Sequence, residues 1–110
     1  MQTDRALSIE AFAKKTITYS DLATQLGLPS SGNVLGAALT PILSKLFFWY
    51  QAHDLPHLTV LAVRKSGTEA GLPGPGFWAI LGESEADTAR KRMYFNRLSR
   101  EVYRRYTFGF

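Results

Sequence analysis

Apolar residues recur at helical spacing near the start of the chain. In residues 4–15 they return every three to four positions, which predicts a short amphipathic helix with Asp4 available as its cap. One side of this helix would carry Leu7, Ala11 and Lys14, and another would carry Ile9, Phe12 and Ala13.

A brief extended segment and a second short helix follow. Residues 17–19 combine β-favouring side chains, and Thr18 or Ser20 can cap a helix of about two turns. Asp21 is favourable at the positive end of that helix, which we expect to stop at Gly27, before Pro29.

The third helical segment contains a proline. Ser30, Ser31 and Asn33 offer caps, and the apolar residues of 34–39 follow helical spacing. Because proline lacks a backbone donor and clashes with the preceding turn, either the helix kinks at Pro41 or Thr40 caps a new helix that begins with Pro41. We favour the new helix. Residues 42–52 are apolar nearly all round, which predicts a central core helix with Lys45 on its solvated side.

Two β-rich runs flank a loop of glycine and proline. Residues 58–63 predict a strand, and Arg64, Lys65 and Gly67 end it. Residues 77–80 then predict the return strand of a β-hairpin, with residues 66–76 forming its long tip.

The last segment predicts a basic C-terminal helix over about residues 84–106. Ser84 is placed to begin it, acidic residues stand in its first turn, and arginines stand in its last. Its apolar stripe is Phe95, Leu98, Val102 and Tyr106.

The order of elements predicts an α+β fold, a mainly helical winged helix-turn-helix with a β-hairpin and an added C-terminal helix. The length of 110 residues fits one domain over 1–110. We expect a core of Leu22, Leu26, Leu35, Leu39, Leu43, Leu46, Phe47, Trp49, Val60, Phe77 and Leu98.

Composition narrows the chemistry. Hydrophobic residues make up 45% of the chain, enough for a sizeable core, and charged residues only 20%, which argues against disorder. Zero cysteines exclude a disulfide framework, a thiolate zinc site and a cysteine nucleophile. With no apolar run long enough for a leader or a membrane span, we expect a cytoplasmic protein without a membrane partner.

The net charge of +4 is unevenly distributed. Residues 90–110 contain seven Lys or Arg and the single acid Glu101, whereas residues 1–89 contain six Lys or Arg and eight acids. Such a concentrated field attracts nucleic acid, an anionic surface or an acidic protein.

These patterns nominate a nucleic-acid interface. Only Ser31 and Asn33 could reach base edges from the start of the third helix, so we expect phosphate contacts to dominate and sequence preference to be weak. The candidate phosphate contacts are Arg64, Lys65, Arg90, Lys91, Arg97, Arg100, Arg104 and Arg105, with Tyr94, Tyr103 and Tyr106 available for stacking. Asn33 could equally serve as a helix cap, and the basic residues could form an ordinary solvated face.

Other site chemistry finds little support. His53 and His57 have a spacing that can hold zinc on a helix, but Pro56 between them breaks that spacing. The glycines of 71–76 lack the Lys-Ser/Thr of a nucleotide loop, and no catalytic grouping can be argued from residue order. We therefore expect no metal, no cofactor and no enzymatic activity.

Two family resemblances bear on this interpretation. Residues 18–23, the pair Leu26-Gly27 and residues 34–39 resemble the DNA-binding helices of the O6-alkylguanine DNA alkyltransferase family, over roughly a third of the chain. The family's Pro-Cys-His-Arg run is absent, and its arginine finger falls at Asn33. The resemblance therefore implies a DNA-binding fold without alkyl transfer.

Residues 58–77 are similar to small helix-turn-helix-like domains found beside HNH-type and restriction-type nucleases in bacterial defence proteins. Those domains usually show Asn-Lys-x-Thr-Gly-Leu-Pro-Gly, whereas here Thr68, Glu69 and Ala70 precede Gly71. No nuclease signature accompanies the segment.

The sequence thus predicts a non-enzymatic DNA-binding protein, with duplex DNA as partner and a phage, bacterial-defence, repair-associated or regulatory setting implied by the resemblances. The alternative is a protein-interaction module or inhibitor that uses the basic C-terminal helix against an acidic protein.

Overall fold

The computed structural model describes residues 2–28 and 32–108. Within these residues the elements are helix α1 (Gln2–Phe12), strand β1 (Ile17–Thr18), helices α2 (Tyr19–Gln25) and α3 (Gly32–Ala52), a 3-10 segment (Leu58–Leu61), strand β2 (Ala62–Val63), and helices α4 (Pro75–Leu81) and α5 (Thr88–Phe108). The fold is α-rich, with one small parallel sheet in the described chain, and is compatible with the α+β class.

Helix α1 presents its apolar side to the rest of the domain. Leu7 and Ala11, on one side of the helix, are buried, whereas Ile9 and Phe12, on another side, are exposed. The helix packs against α5 and the 3-10 segment. The prediction that Asp4 caps α1 was wrong, because Asp4 lies inside the helix and accepts a hydrogen bond from the Tyr50 hydroxyl of α3.

The segment from β1 to the end of α2 confirms the local sequence signals. Thr18 caps α2, its hydroxyl oxygen accepting from the backbone N–H of Asp21 at 3.2 Å. After α2, Gly27 has a φ of 72°, a conformation that favours glycine. Ile17 pairs with Ala62, and Thr18 with Val63, in the parallel sheet.

Helix α3 runs without interruption through Pro41, so the predicted restart at Thr40 was wrong. Leu39 on one side of the proline, and Leu46 and Tyr50 on the other, all lie on one buried face. Packing of a continuous face offsets the one backbone hydrogen bond that proline removes.

The composition of residues 42–52 predicted a helix buried on nearly all sides, but the second half of α3 is exposed on one side. Phe48 and Trp49 are 57% and 48% exposed, on the side that also carries exposed Lys45. The assignment of Trp49 to the core was therefore wrong, because the helix packs through one face at the domain surface.

The predicted β-hairpin is absent from the described residues. Residues 58–61 form the 3-10 segment, and Ala62–Val63 pairs in parallel with β1 rather than with residues 77–80. Residues 77–80 belong to α4. The prediction relied on the β-favouring side chains of this run and overlooked its ends. Pro75 at the first helical turn and Gly82 beyond the last, with a φ of 80°, are strong helix start and stop signals.

A closed loop takes up the chain between β2 and α4. The backbone N–H of Arg64 donates to the carbonyl of Leu72, and the N–H of Gly71 donates to the carbonyl of Arg64, both at 2.9 Å. Further along, the N–H of Gly74 donates to the Tyr19 hydroxyl at 2.6 Å. Residues 64–74 are thus fastened both to themselves and to α2.

Helix α5 begins later than residue 84. Its first turn is capped by Asp87, whose carboxylate accepts from the N–H of Arg90 at 2.8 Å. A carboxylate cap is favoured over Ser84 because it also faces the positive end of the helix dipole. The predicted stripe is confirmed, with Leu98 and Val102 buried and with Phe95 and Tyr106 partly buried against the core.

Most of the predicted core residues are buried or partly buried, namely Leu22, Leu26, Leu39, Leu43, Leu46, Phe47, Val60, Phe77 and Leu98. The side chain of Leu35 is not among those that the structure describes. The predicted list of core residues did not include several of the best buried side chains, which are Leu7, Tyr50, Leu58, Leu61, Leu72, Trp78 and Val102.

We expect stability to fall between pH 7 and pH 5.5 because of His57. Its ring stacks on Phe47 with centroids 4.2 Å apart, and burial lowers its pKa, an effect that Glu101 partly opposes. The unfolded chain therefore binds a proton at His57 more readily than the folded chain, so stability is lost as the pH drops below about 6.5. Urea unfolding across this range should show a smaller loss for His57→Phe. An identical pH dependence in that variant would contradict the assignment.

Candidate nucleic-acid interface

Three arginines form a row along the exposed side of α5. Arg97, Arg100 and Arg104 are separated by three and four residues, which places them on one side of the helix over about 10 Å of its length. All three are exposed, whereas Leu98 and Val102 point into the core. We call Arg97, Arg100 and Arg104 the arginine row.

The arginine row keeps its positive charge. No carboxylate within the described part of the chain forms an ion pair with any of its members. The guanidinium of Arg97 lies 4.9 Å from the ring centroid of Tyr94, a cation–π contact that orients the side chain without neutralising it. The row can therefore bind an external anion without first losing an internal partner.

Arg90, in contrast, is held in a network. Its guanidinium lies 3.1 Å from the carboxylate of Glu83 and donates to the Tyr94 hydroxyl at 3.2 Å. The Tyr94 hydroxyl donates to Glu83 at 2.7 Å. The hydrogen bond from Arg90, followed in importance by the one from Tyr94, lowers the pKa of the Glu83 carboxyl. An external phosphate would have to compete with Glu83 for Arg90.

Lys91 is the least available of the predicted contacts. Its side chain is only 13% exposed, and its amine lies 3.1 Å from both carboxylate oxygens of Glu69. Thr88 donates to the same carboxylate at 3.0 Å, and the Lys91 amine lies 5.9 Å from the ring centroid of Trp78. Lys91 thus fastens the 64–72 loop to α5, and its amine is occupied by Glu69.

The other two predicted loop contacts are exposed. Arg64 lies 3.9 Å from Glu69, a weak ion pair at a side chain 42% exposed, and Lys65 is exposed beside it. The loop contacts α5 at Thr88, which precedes Arg97 by nine residues. Nine residues are about two and a half helical turns, so Thr88 and Arg97 point to opposite sides of the helix. The structure therefore does not bring Arg64 and Lys65 onto the side of α5 that carries the arginine row.

The two predicted base-reading residues fall where the structure does not describe the side chains. Ser31 is outside the described residues, and Asn33 lies in the first turn of α3 with its side chain outside the described part. Arg105 is exposed in the last turn of α5. Tyr103 and Tyr106 are partly buried against the core, which leaves less of each ring for base stacking. The same burial raises the pKa of both hydroxyls.

Two shallow grooves border the arginine row. One runs between the end of α1 and α5, past Lys14, Arg100 and Arg104. The other includes Arg97, Arg100 and Met93, which is 73% exposed. Arg100 lies between the two grooves and is reachable from both.

The histidines do not come together as a metal site. Both histidines lie beyond the end of α3 at Ala52. His53 stacks on Trp49, whereas His57 stacks on Phe47. Among the described residues no group of three or more metal-ligating side chains occurs. Within the same residues no helix has the length and apolarity needed to cross a bilayer.

We expect Glu69→Gln to destabilise the protein by about 1 kcal/mol, because it leaves the mostly enclosed side chain of Lys91 without its carboxylate partner. Hydrogen bonding to Lys91 is the main cause that lowers the pKa of Glu69, so its contribution is present above the ordinary carboxyl pKa and is lost as the pH falls through the lowered value. Urea unfolding at pH 7 measures the loss, with Glu85→Gln, an exposed carboxylate, as control. Equal stability of the two variants would refute the role of Glu69.

The sequence pattern did not identify Glu69, Glu83 and Tyr94 as the residues whose contacts determine which cations are available to an external anion. Tyr94 could have been found, since it stands four residues after Arg90 and three before Arg97. Glu69 precedes Lys91 by 22 residues, a distance over which sequence spacing carries no information.

Comparison with known proteins yields no match: no family model fits the chain, and neither a curated protein nor a solved structure resembles it significantly.

Proposed function

We propose that this protein is a non-enzymatic DNA-binding protein that contacts the phosphate backbone through the arginine row. The observation that carries the proposal is the absence of carboxylate partners at Arg97, Arg100 and Arg104 among the described residues, on a helix rich in cations. A face present only for solubility would more often alternate its charges, since opposite charges at helical spacing stabilise a helix. Arginine is also well suited to phosphate, which it binds with two parallel hydrogen bonds.

The order of β1, α2 and α3 supports a helix-turn-helix interpretation. Helix α2 is short and capped at both ends, and it packs against α3 after a turn that contains Gly27. In such a motif the start of α3 would lie in the major groove, where it would offer Ser31 and Asn33. In this proposal the closed 64–72 loop, with Arg64 and Lys65, replaces the hairpin of a winged domain.

Weak sequence preference follows from where the cations lie and from the side chains at the start of α3. Most of the cations are arginines on α5, where they suit phosphate contacts, and α3 contributes few side chains that could distinguish base pairs. We therefore propose that affinity depends on salt far more than on sequence.

An acidic protein partner is the second candidate. Met93 is 73% exposed beside the arginine row, and exposed methionine is frequent on protein-binding surfaces. A protein partner would bury Met93, whereas a phosphate backbone would leave it solvated.

Fluorescence anisotropy with two unrelated duplexes of equal length tests the proposal. We expect both to bind at low salt with affinities within a few-fold of each other, and to dissociate as salt is raised. A poly-glutamate peptide of equal charge, offered at the same salt, represents the acidic partner. Absence of binding to either duplex at low salt would overturn the proposal, as would tighter binding to the peptide than to DNA.

A further inference from the structure

A cavity of about 270 Å³ lies between α2, α3 and α4. Its walls include the rings of Tyr19, Phe47 and Phe77 and the aliphatic side chains of Leu39, Leu43 and Ile80. No charged side chain of the described residues lines it. Aromatic and aliphatic walls with few polar groups are typical of sites for small organic ligands.

Thr59 lines this cavity and carries an unused hydrogen-bonding group. The residue is 4% exposed, and its hydroxyl oxygen is buried with no hydrogen-bond partner in the described structure. A buried hydroxyl without a partner destabilises a fold, so such groups are rare unless something binds them. The Tyr19 hydroxyl, on another wall, accepts from Gly74 and retains its own O–H for donation.

The cavity opens to solvent between α3 and the start of α4. Thr40, Pro75 and Gly76 line it and are exposed. A Cβ built on Gly76 would lie 4.0 Å from Cγ2 of Thr40, so these two residues approach each other closely at the opening. A larger side chain at Gly76 would extend across this gap.

We propose that the cavity binds a small neutral ring compound, of one or two fused rings, with a polar group that pairs with Thr59. An apolar cavity of about 150 Å³ is sufficient to bind benzene, so the larger volume here has room for a bicyclic ring. A charged ligand would lose its hydration without gaining an ionic partner, and is therefore excluded. The proposal concerns a face formed by α2, α3 and α4 and does not depend on the arginine row.

A direct test uses 5-fluoroindole followed by ¹⁹F NMR, since the protein contributes no fluorine signal. We expect saturable binding, with its N–H donating to the Thr59 oxygen. Indole-3-acetate and tryptamine share the ring but carry a negative and a positive charge. We expect each to bind at least about 10-fold more weakly. Failure of 5-fluoroindole to saturate, or equal binding of all three compounds, would overturn the proposal.

Three variants connect the binding to this cavity. Thr59→Val removes the hydroxyl at nearly constant volume, so we expect a higher melting temperature and about 3- to 10-fold weaker binding of 5-fluoroindole. Gly76→Leu should narrow the opening and weaken binding by at least about 10-fold, whereas Gly76→Ala, its matched control, makes only an ordinary contact with Thr40 and should bind as the parent does. Circular dichroism checks that each variant is folded. Parent-like affinity in both Thr59→Val and Gly76→Leu would place the compound elsewhere and refute the proposal.

Discussion

Replacing Trp78 by alanine is expected to destabilise the protein by about 3–5 kcal/mol, the usual loss when a large aromatic core residue is truncated. Trp78 is 1% exposed, and its indole N–H donates to the carbonyl of Pro73 at 2.8 Å. Its ring packs edge-on against Phe77, and the Lys91 amine lies near it. One side chain thereby joins α4, the loop before it and α5. Urea unfolding monitored by circular dichroism measures the effect.

Trp78→Phe separates the two contributions of the indole. Phenylalanine keeps an aromatic ring but cannot donate to Pro73, so we expect a smaller loss, of about 1–3 kcal/mol. If Trp78→Ala lost less than about 1 kcal/mol, the contacts that join α4 to α5 would be wrongly assigned.

The second large effect concerns DNA affinity. Changing Arg97, Arg100 and Arg104 together to glutamine should weaken duplex binding on the order of 100-fold or more at about 0.1 M salt. Each phosphate contact releases about one counterion from the DNA, and the favourable free energy of that release is lost with the contact. The loss should be similar for every sequence tested, since the proposed contacts of these residues are to phosphate rather than to base edges. The fold should be retained, because the three side chains are exposed and lie away from Leu98 and Val102.

A matched control removes the same charge elsewhere. Arg5, Lys15 and Lys45 are exposed cations outside α5, and their joint change to glutamine lowers the net charge equally. We expect this control to lose far less affinity than the variant of the arginine row. Equal losses in the two variants would mean that overall charge, not the arginine row, governs binding.

Sequence signals located the elements whose ends are set by local chemistry. Thr18 caps α2, Gly27 follows it with a positive φ, and the apolar stripe of α5 is buried where its spacing predicts. In each case a few neighbouring residues determine the conformation, so tertiary structure has little to add.

The errors arose where contacts distant in sequence decide the outcome. Pro41 reads as a helix break, yet the shared buried face of Leu39 and Leu46 keeps α3 continuous. The strand predicted at residues 77–80 is a different kind of error, because the local helix signals at Pro75 and Gly82 were overlooked. Strand β2 finds its partner in β1, some 45 residues earlier, which local propensity cannot reveal.

The candidate site was predictable as a concentration of charge but not as a surface. Composition identified the basic helix, whereas the structure shows which cations have internal partners. Glu69 lies beside Lys91, and Glu83 beside Arg90, each brought there by the path of the chain before α5. Arg97, Arg100 and Arg104 form no ion pair in the described residues, although Glu101 stands four residues after Arg97 and three before Arg104. Residue spacing along α5 therefore does not reveal which cations are paired.

The salt dependence of DNA binding tests the central claim most directly. The logarithm of the affinity for one duplex is measured against the logarithm of salt concentration, for the parent and for the arginine-row variant. Three phosphate contacts at the row predict a slope about 2 to 3 units shallower in the variant, close to one unit for each arginine. Equal slopes for the two proteins would contradict the assignment of the arginine row as the phosphate-binding surface.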